Sequence, residues 1–303
     1  RLNVFLGNLI SFSAFSKDAR AVTRLYLGPP CRLLLLRLSI ALVFCLLCVI
    51  CPKSSAFGSD AHKVITQIAE SQLTEISRRH IRHIASEFSL HELAVWPDRI
   101  RGQLAWRKSA GWHYINSKDD EPFNIKPHTR NGNILSALTY YHQRLSDPLL
   151  DRQQRMQSLA FFMHFIQDLH QPLHVGYQHD RGGNDISVQW LNEKKPRNLH
   201  WVWDTGLLMA AKKTSEQYYV LLNNISENEK RLWQDSGFID WAMESKLLRA
   251  RAYEFHYPSH GQLPILDNAY LTKNRPVIER RLLMAGVRLA NELNKIFDPD
   301  TVN

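Results

Sequence analysis

The chain has 303 residues, 44% of them hydrophobic. That composition can bury a substantial core and excludes a globally disordered protein. Of the 38 Lys and Arg and 29 Asp and Glu, seven basic and one acidic residue fall within the first 56, leaving the remainder at +3; the overall charge of +9 therefore gives no argument for a basic nucleic-acid footprint.

The first 56 residues read as a leader. In "CRLLLLRLSIALVFCLLCVICPKSSA", Arg32 and Arg37 precede an apolar run, and small residues follow at Ser54 and Ala56. This is the layout of a secretory signal peptide, and it predicts a mature chain beginning at Phe57 that is secreted or periplasmic. An uncleaved anchor is the alternative, but the run from Leu38 to Ile50 is short for a span. All four cysteines (Cys31, Cys45, Cys48, Cys51) lie in the leader. A mature chain without them must be stabilised by its core or by metals.

Residues 57–303 read as one all-α domain. Apolar residues at Val64, Ile65, Ile68, Ala69 and Leu73 predict a helix over 61–77, with Asp60 as its cap. Similar periods predict helices over 132–146, 153–170, 214–223, 239–254 and 276–297. "ISVQWL" (186–191), after the turn residues "DRGGND", is the strand candidate and implies a small β-hairpin. Loops are expected at 116–131, 178–198 and 256–275.

The chain carries 14 histidines, none of them in the leader. "FFMHFIQDLHQPLH" (161–174) mixes three histidines and an aspartate into an apolar run, where uncompensated polar groups are costly. His164 and Asp168 are four apart and project from one helical face. His200 and Asp204 in "HWVWD" repeat the spacing, and His174 follows Pro172, where the helix should bend or end. One His-x-x-x-Asp pair is more often a hydrogen-bonded pair than a ligand site. Two such pairs, each among aromatics, point to a divalent metal, most naturally Zn²⁺.

Six motifs in order, "FGSDAH", "WPDRIR", "WHYIN", "HFIQDLHQPLH", "DRGGND" and "LHWVWD", make the sequence resemble the zinc-dependent, single-strand-specific nucleases of the S-one/P-one type, which include the plant bifunctional nucleases. The resemblance covers nearly all of 57–303 and implies the mainly helical fold shared with zinc phospholipases C. It implies three zincs. The first would be held by Asp98, His113, His164 and Asp168; the second by His174, His200 and Asp204; the third by His62, Asp168 and the backbone amine and carbonyl of Phe57, where the family usually has Trp. A hydroxide shared by two zincs would attack phosphorus in line, with no side-chain nucleophile. The implied activity is endonucleolytic hydrolysis of single-stranded DNA and RNA to 5′-phosphorylated products, with 3′-nucleotidase activity, by a monomer.

Arg101 matches a family arginine that would orient Asp98 or neutralise phosphate; its bland reading is a surface arginine. Tyr114 occupies the family's base-stacking position, and Asn184 a position that contacts base or phosphate, though Tyr is commonly core and Asn commonly caps a turn. His170 is no family ligand and reads as a hydrogen-bonding residue behind the ligands or in the core. A zinc phospholipase C is the nearest rival, disfavoured by Asp204, where those enzymes carry Glu, and by the short gap from Phe57 to His62. A binding protein with purely structural zinc is the other; such sites are usually closed and cysteine-rich.

Overall fold

The amphipathic stretch after Phe57 folds as α1 (Ser59–Gln72), burying Ala61, Val64, Ile65, Ile68 and Ala69, in a computed structural model that describes residues 57–123, 125, 128, 131–259 and 261–301. The expected leader with its cysteines and its expected processing position, and His260, lie outside the described residues. Asp60 does not cap α1. Gly58 is the N-cap residue, without a side-chain cap, and Asp60 lies in the first turn. The start is set by a tertiary contact instead: Gly58 N–H donates to the Asp204 carbonyl at 2.9 Å. A Cβ at Gly58 would stand 2.6 Å from Thr205 Oγ1.

The expected helix over 61–77 is broken. Leu73 is extended and Thr74 caps a second helix, α2 (Glu75–Ala85), by accepting from Ser77 N–H. The break is held by Asn294, which accepts from Thr74 N–H at 3.1 Å and donates to the Gln72 carbonyl at 3.1 Å. A side chain from the far end of the chain thus satisfies backbone groups that two helix ends leave open.

α3 (Leu90–Ile100) starts at a Ser89–Glu92 capping box and carries Pro97 inside it. After a 3₁₀ stretch (Leu104–His113) come α4 (Ile134–Ser146), capped by Asn133, and α5 (Arg152–Leu169), capped by Asp151. The helical segments 199–211 comprise α6 (Leu199–Trp201), a π turn (Val202–Gly206) and α7 (Leu207–Ala211). α8 (Ser215–Asn223), α9 (Glu227–Gln234), α10 (Phe238–Arg249) and α11 (Asn268–Phe297) complete the helices. The fold is mainly helical, as the sequence predicts. α2, α3, α6, α7 and α9 are additions to that reading, and α11 begins at Asn268, inside the expected loop 256–275.

The strand prediction is met by β1 (Ser187–Trp190), paired antiparallel with β2 (Arg197–Asn198). A third strand, β3 (Ile265–Leu266), adds parallel to the other edge of β1, so the hairpin becomes a sheet of order β2-β1-β3. One apolar cluster forms around α4 and α5, from Leu138, Phe161, Phe162, Phe165 and Trp241. The other joins α1 to β1 and α11, through Ile65, Ile68, Val188, Trp203 and Leu282. α1 and α11 approach so closely at Gly286 that a Cβ there would lie 2.4 Å from Ile68 Cγ2.

Candidate metal centre

α5 is buried from Ser158 to Leu169, so His164 and Asp168 project into the protein from one face. The helix ends at Leu169. Gln171 adopts the extended conformation that a following proline favours, and a 3₁₀ turn (Pro172–Val175) carries His174 back. The reversal leaves His174 Nδ1 3.8 Å from Asp168 Oδ2. From across the core, α1 brings His62, α3 brings Asp98, and the end of the 3₁₀ stretch brings His113. Three groups result in which ligand atoms lie within 4.8 Å of one another: His62, His164 and Asp168; Asp98, His113 and His164; His174, His200 and Asp204.

Asp168 divides its two oxygens. Oδ2 lies 3.0 Å from both His113 Nδ1 and His164 Nε2. Oδ1 lies 3.5 Å from His62 Nε2. Asp98 Oδ1 stands 3.7 Å from both His113 Nδ1 and His164 Nε2. In the remaining group His200 Nε2 is 3.2 Å from Asp204 Oδ2, and His174 Nε2 is 3.5 Å from Asp204 Oδ1.

The other ring nitrogens are fixed from behind. His164 Nδ1 donates to the Ala94 carbonyl at 2.6 Å, His174 Nδ1 to the His113 carbonyl at 2.7 Å and His200 Nδ1 to the Gly182 carbonyl at 2.7 Å. His62 Nδ1 donates to Gln167 Oε1 at 2.6 Å, and Gln171 Nε2 donates to Asp204 Oδ1 at 2.6 Å. In the neutral ring, each of the four histidine bonds selects the tautomer that leaves Nε2 bare. His62 Nε2, His174 Nε2, Asp168 Oδ1 and Asp204 Oδ2 are buried and make no hydrogen bond of ordinary geometry. Bare nitrogens and carboxylate oxygens converging in the interior fit a divalent cation with N and O ligands, and zinc suits that donor set.

The charges agree with this. Burial pushes Asp168 upward, but His164 and His174 outweigh it and hold its pKa well below the usual carboxylate range. Asp98 is likewise raised by burial and brought below its ordinary value by His164, His113 and Arg101. Burial, aided by His164, lowers His62 to about 4, so its ring is neutral near pH 7. His174 is drawn up to about 9 because Asp168 and Asp204 outweigh its burial. With no cation in place the carboxylates recruit protons onto histidine; a bound metal ion would replace them.

A glycine shapes the wall behind His200. Gly182 has φ +64°, and a Cβ there would lie 2.4 Å from the Leu173 carbonyl oxygen. Only glycine lets that turn pass close enough to present its own carbonyl to His200. Behind His113 and His174, Arg249 is fully buried. It donates to the carbonyls of Ser117, Val175 and Gly176 at 2.9, 3.1 and 2.8 Å, and to Asp119 Oδ1 at 2.8 Å. This ties the two segments that carry those histidines.

The remaining sequence-predicted residues separate. Phe57 is wholly buried with its ring 6.3 Å from that of His62. Arg101 Nη1 pairs with Asp98 Oδ1 at 3.3 Å. Tyr114 is 45% exposed and lines a cavity of about 710 Å³ with Asn116, Gln178 and Arg181. Asn184 instead donates to the Arg181 carbonyl at 2.9 Å within its own turn. His170 lies in the core, donating to the Ile166 carbonyl at 2.7 Å and accepting from Arg288 at 3.0 Å. Of the phenylalanines, Phe165 packs edge-on against His113, whereas Phe161 faces Trp96 and Tyr141, and Phe162 faces Phe238. Gln167, Gln171 and Arg249 escape a search for ligand types. The only signal for the glutamines is their spacing of four on the same run as the ligands.

Residues 57–298 match the family model described as S1/P1 Nuclease. Over 272 residues the chain is 29% identical to Endonuclease 4 of Arabidopsis thaliana, covering 80% of this chain and 89% of that protein. It is 27% identical over 266 residues to Nuclease P1 of Penicillium citrinum, covering 79% and 97% of the two chains. Against Nuclease S1 of Aspergillus oryzae the identity is 25% over 267 residues, covering 79% and 91%. Since the family match begins at Phe57 and runs through every residue of the His and Asp cluster, the chain belongs to the S1/P1 nuclease family and is a nuclease, a hydrolase of phosphodiester bonds.

Proposed function

We propose that the chain from Phe57 onward hydrolyses single-stranded DNA and RNA to 5′-phosphorylated products, with 3′-nucleotidase activity, at a cluster of three zinc ions. The observation that carries this reading is the division of Asp168, whose Oδ2 faces His113 and His164 while Oδ1 faces His62. One site would be formed by Asp98, His113, His164 and Asp168, a second by His174, His200 and Asp204, and a third by His62, Asp168 and the backbone of Phe57. When bound, zinc supplies Lewis-acid polarisation of a phosphoryl group and lowers the pKa of water toward about 7.

The chain's own residues do the rest. The carbonyl and amide partners behind His62, His164, His174 and His200 hold them in one tautomer, so most of the ligand set is preorganised. Arg101 steadies Asp98 and brings a cation near it. Tyr114 lines the cavity with an exposed ring, on which an unpaired base can stack. A duplex keeps its bases inside the stack and cannot offer one, which is the physical source of the single-strand preference. Phe57 is the mature N-terminus in this reading. Removal of the leader after Ala56 converts a peptide nitrogen into an amine able to ligate, and the protein is secreted or periplasmic.

The test joins three measurements on the processed protein: N-terminal sequencing, zinc content, and product analysis. Substrates are single-stranded DNA, the same sequence as duplex, RNA and phosphatidylcholine vesicles. The reading expects a start at Phe57, three zincs per chain and 5′-phosphorylated products from the single strands. Release of phosphocholine with no cleavage of nucleic acid would make it a phospholipase. A zinc-loaded chain inert on every substrate would make the metal structural.

A further inference from the structure

His62 differs from the other histidines whose outer nitrogen is fixed. His164, His174 and His200 each donate to a backbone carbonyl. His62 donates to a side chain, Gln167 Oε1, at 2.6 Å. Gln167 is itself fully buried on α5, between His164 and Asp168, and its Nε2 donates at 3.2 Å to Thr66 Oγ1, also fully buried. Both ends of the amide are therefore committed to α1, one turn apart on the same face, His62 and Thr66.

An amide oxygen can only accept, so the proton of neutral His62 must sit on Nδ1. Nε2 is then a bare lone pair. It makes no hydrogen bond and faces Asp168 Oδ1 at 3.5 Å. Without the amide either tautomer would be open to the ring, and the ring could turn about its side-chain bonds. Its remaining ring neighbours, His164 stacked at 4.4 Å and Phe57 edge-on at 6.3 Å, set its plane but not its tautomer.

We infer that Gln167 is a positioning residue for the ion at His62 alone: it selects the ligating tautomer of His62, so that one metal of the cluster depends on a side chain that touches no metal. This rests on the three-zinc reading above. Its consequence is that this ion can be weakened selectively, since His164, His174 and His200 of the other two sites are held by main chain.

The test is zinc binding by the processed protein at graded free zinc, with metal content read directly. Wild type is compared with Gln167→Leu, which keeps the volume but removes both hydrogen bonds, and with Gln167→Glu, which keeps the acceptor. The leucine variant is expected to need roughly 10- to 100-fold more free zinc for one ion, with the other two bound as in wild type. The glutamate variant should bind all three. Long-range nitrogen NMR of the His62 ring should show Nδ1 protonated in wild type and in Gln167→Glu, and a mixture in Gln167→Leu. Three ions bound with wild-type affinity by Gln167→Leu, or parallel weakening of all three, would overturn the inference. If Gln167→Leu does not fold, Gln167→Glu decides: retention of the third ion upholds the inference and its loss overturns it. A wild-type chain with fewer than three ions would fail earlier, at the reading on which this rests.

Discussion

His113 Nδ1 stands 2.9 Å from His164 Nε2, with Asp168 Oδ2 at 3.0 Å from each. His164 Nδ1 is committed to the Ala94 carbonyl, so Nε2 of the neutral ring is a lone pair. Two ring nitrogens and a carboxylate oxygen gathered at one point fit a cation between them. His164 lies in two of the three ligand groups, so its loss damages both. We expect His164→Ala to lose at least one zinc per chain and more than ~100-fold in nuclease activity, metal and activity falling together. Full activity in that variant would remove the basis of the assignment. Metal content by mass spectrometry, beside cleavage of single-stranded DNA, checks it.

Chelation offers a parallel test without mutation. A site that binds the folded chain alone stabilises it by RT ln(1 + [L]/Kd), about 2.7 kcal/mol when the ion is at 100 times its Kd. Stripping zinc should lower the melting temperature by several degrees, and zinc added back should restore it. Identical melting curves with and without chelator would argue against buried ions.

Gly182 connects backbone conformation to the same centre. Gly182→Ala places a Cβ against the Leu173 carbonyl at a left-handed φ of +64°. We expect a loss of about 1–3 kcal/mol of stability. Because the carbonyl that holds His200 moves with it, zinc content should fall as well. A melt unchanged from wild type would show that the turn can relax.

Tyr114 tests the substrate side. It is the exposed ring in the cavity beside His113. Tyr114→Ala should cost ~1–3 kcal/mol in binding of a stacked base, or about 5- to 150-fold in KM for single-stranded oligonucleotides. Zinc content and folding should be untouched. Equal KM values for the two proteins would place the base elsewhere.

Acid stability is governed partly by Glu244. It accepts from Arg281 at 2.5 Å and from Arg288 at 2.6 and 2.7 Å, and both arginines are buried. Burial raises its pKa, but Arg288 and Arg281 outweigh that and hold it below the ordinary value of 4.5. The unfolded chain therefore binds a proton more readily than the folded one, and stability falls as pH drops through and below about 4.5. Glu244→Gln should unfold more easily at neutral pH, by about 1–3 kcal/mol, since a third of the side chain meets water. Its stability should also depend less on pH below 4.5. Parallel pH–stability curves for the two proteins would rule out this pair as the source.

The candidate ligands were readable because metal chemistry would leave a local trace. His164 with Asp168, and His200 with Asp204, share a helical face at a spacing of four, and buried polar groups among aromatics demand a partner. The helical class followed from apolar period in the same way. Where an internal proline stood in the run, as Pro97 does in α3, the helix was missed.

By itself, then, the sequence determined the chemistry, the helical class and the order of the motifs, because each rests on residue type and short-range spacing. Tertiary structure alone decided what stands behind the ligands. Asn294 breaks a helix 220 residues away, Gln167 chooses a tautomer on α1, and Arg249 ties two segments through their carbonyls. These are hydrogen bonds between groups remote in sequence, most of them to backbone atoms that every residue carries, and no residue pattern along the chain encodes which of them will meet.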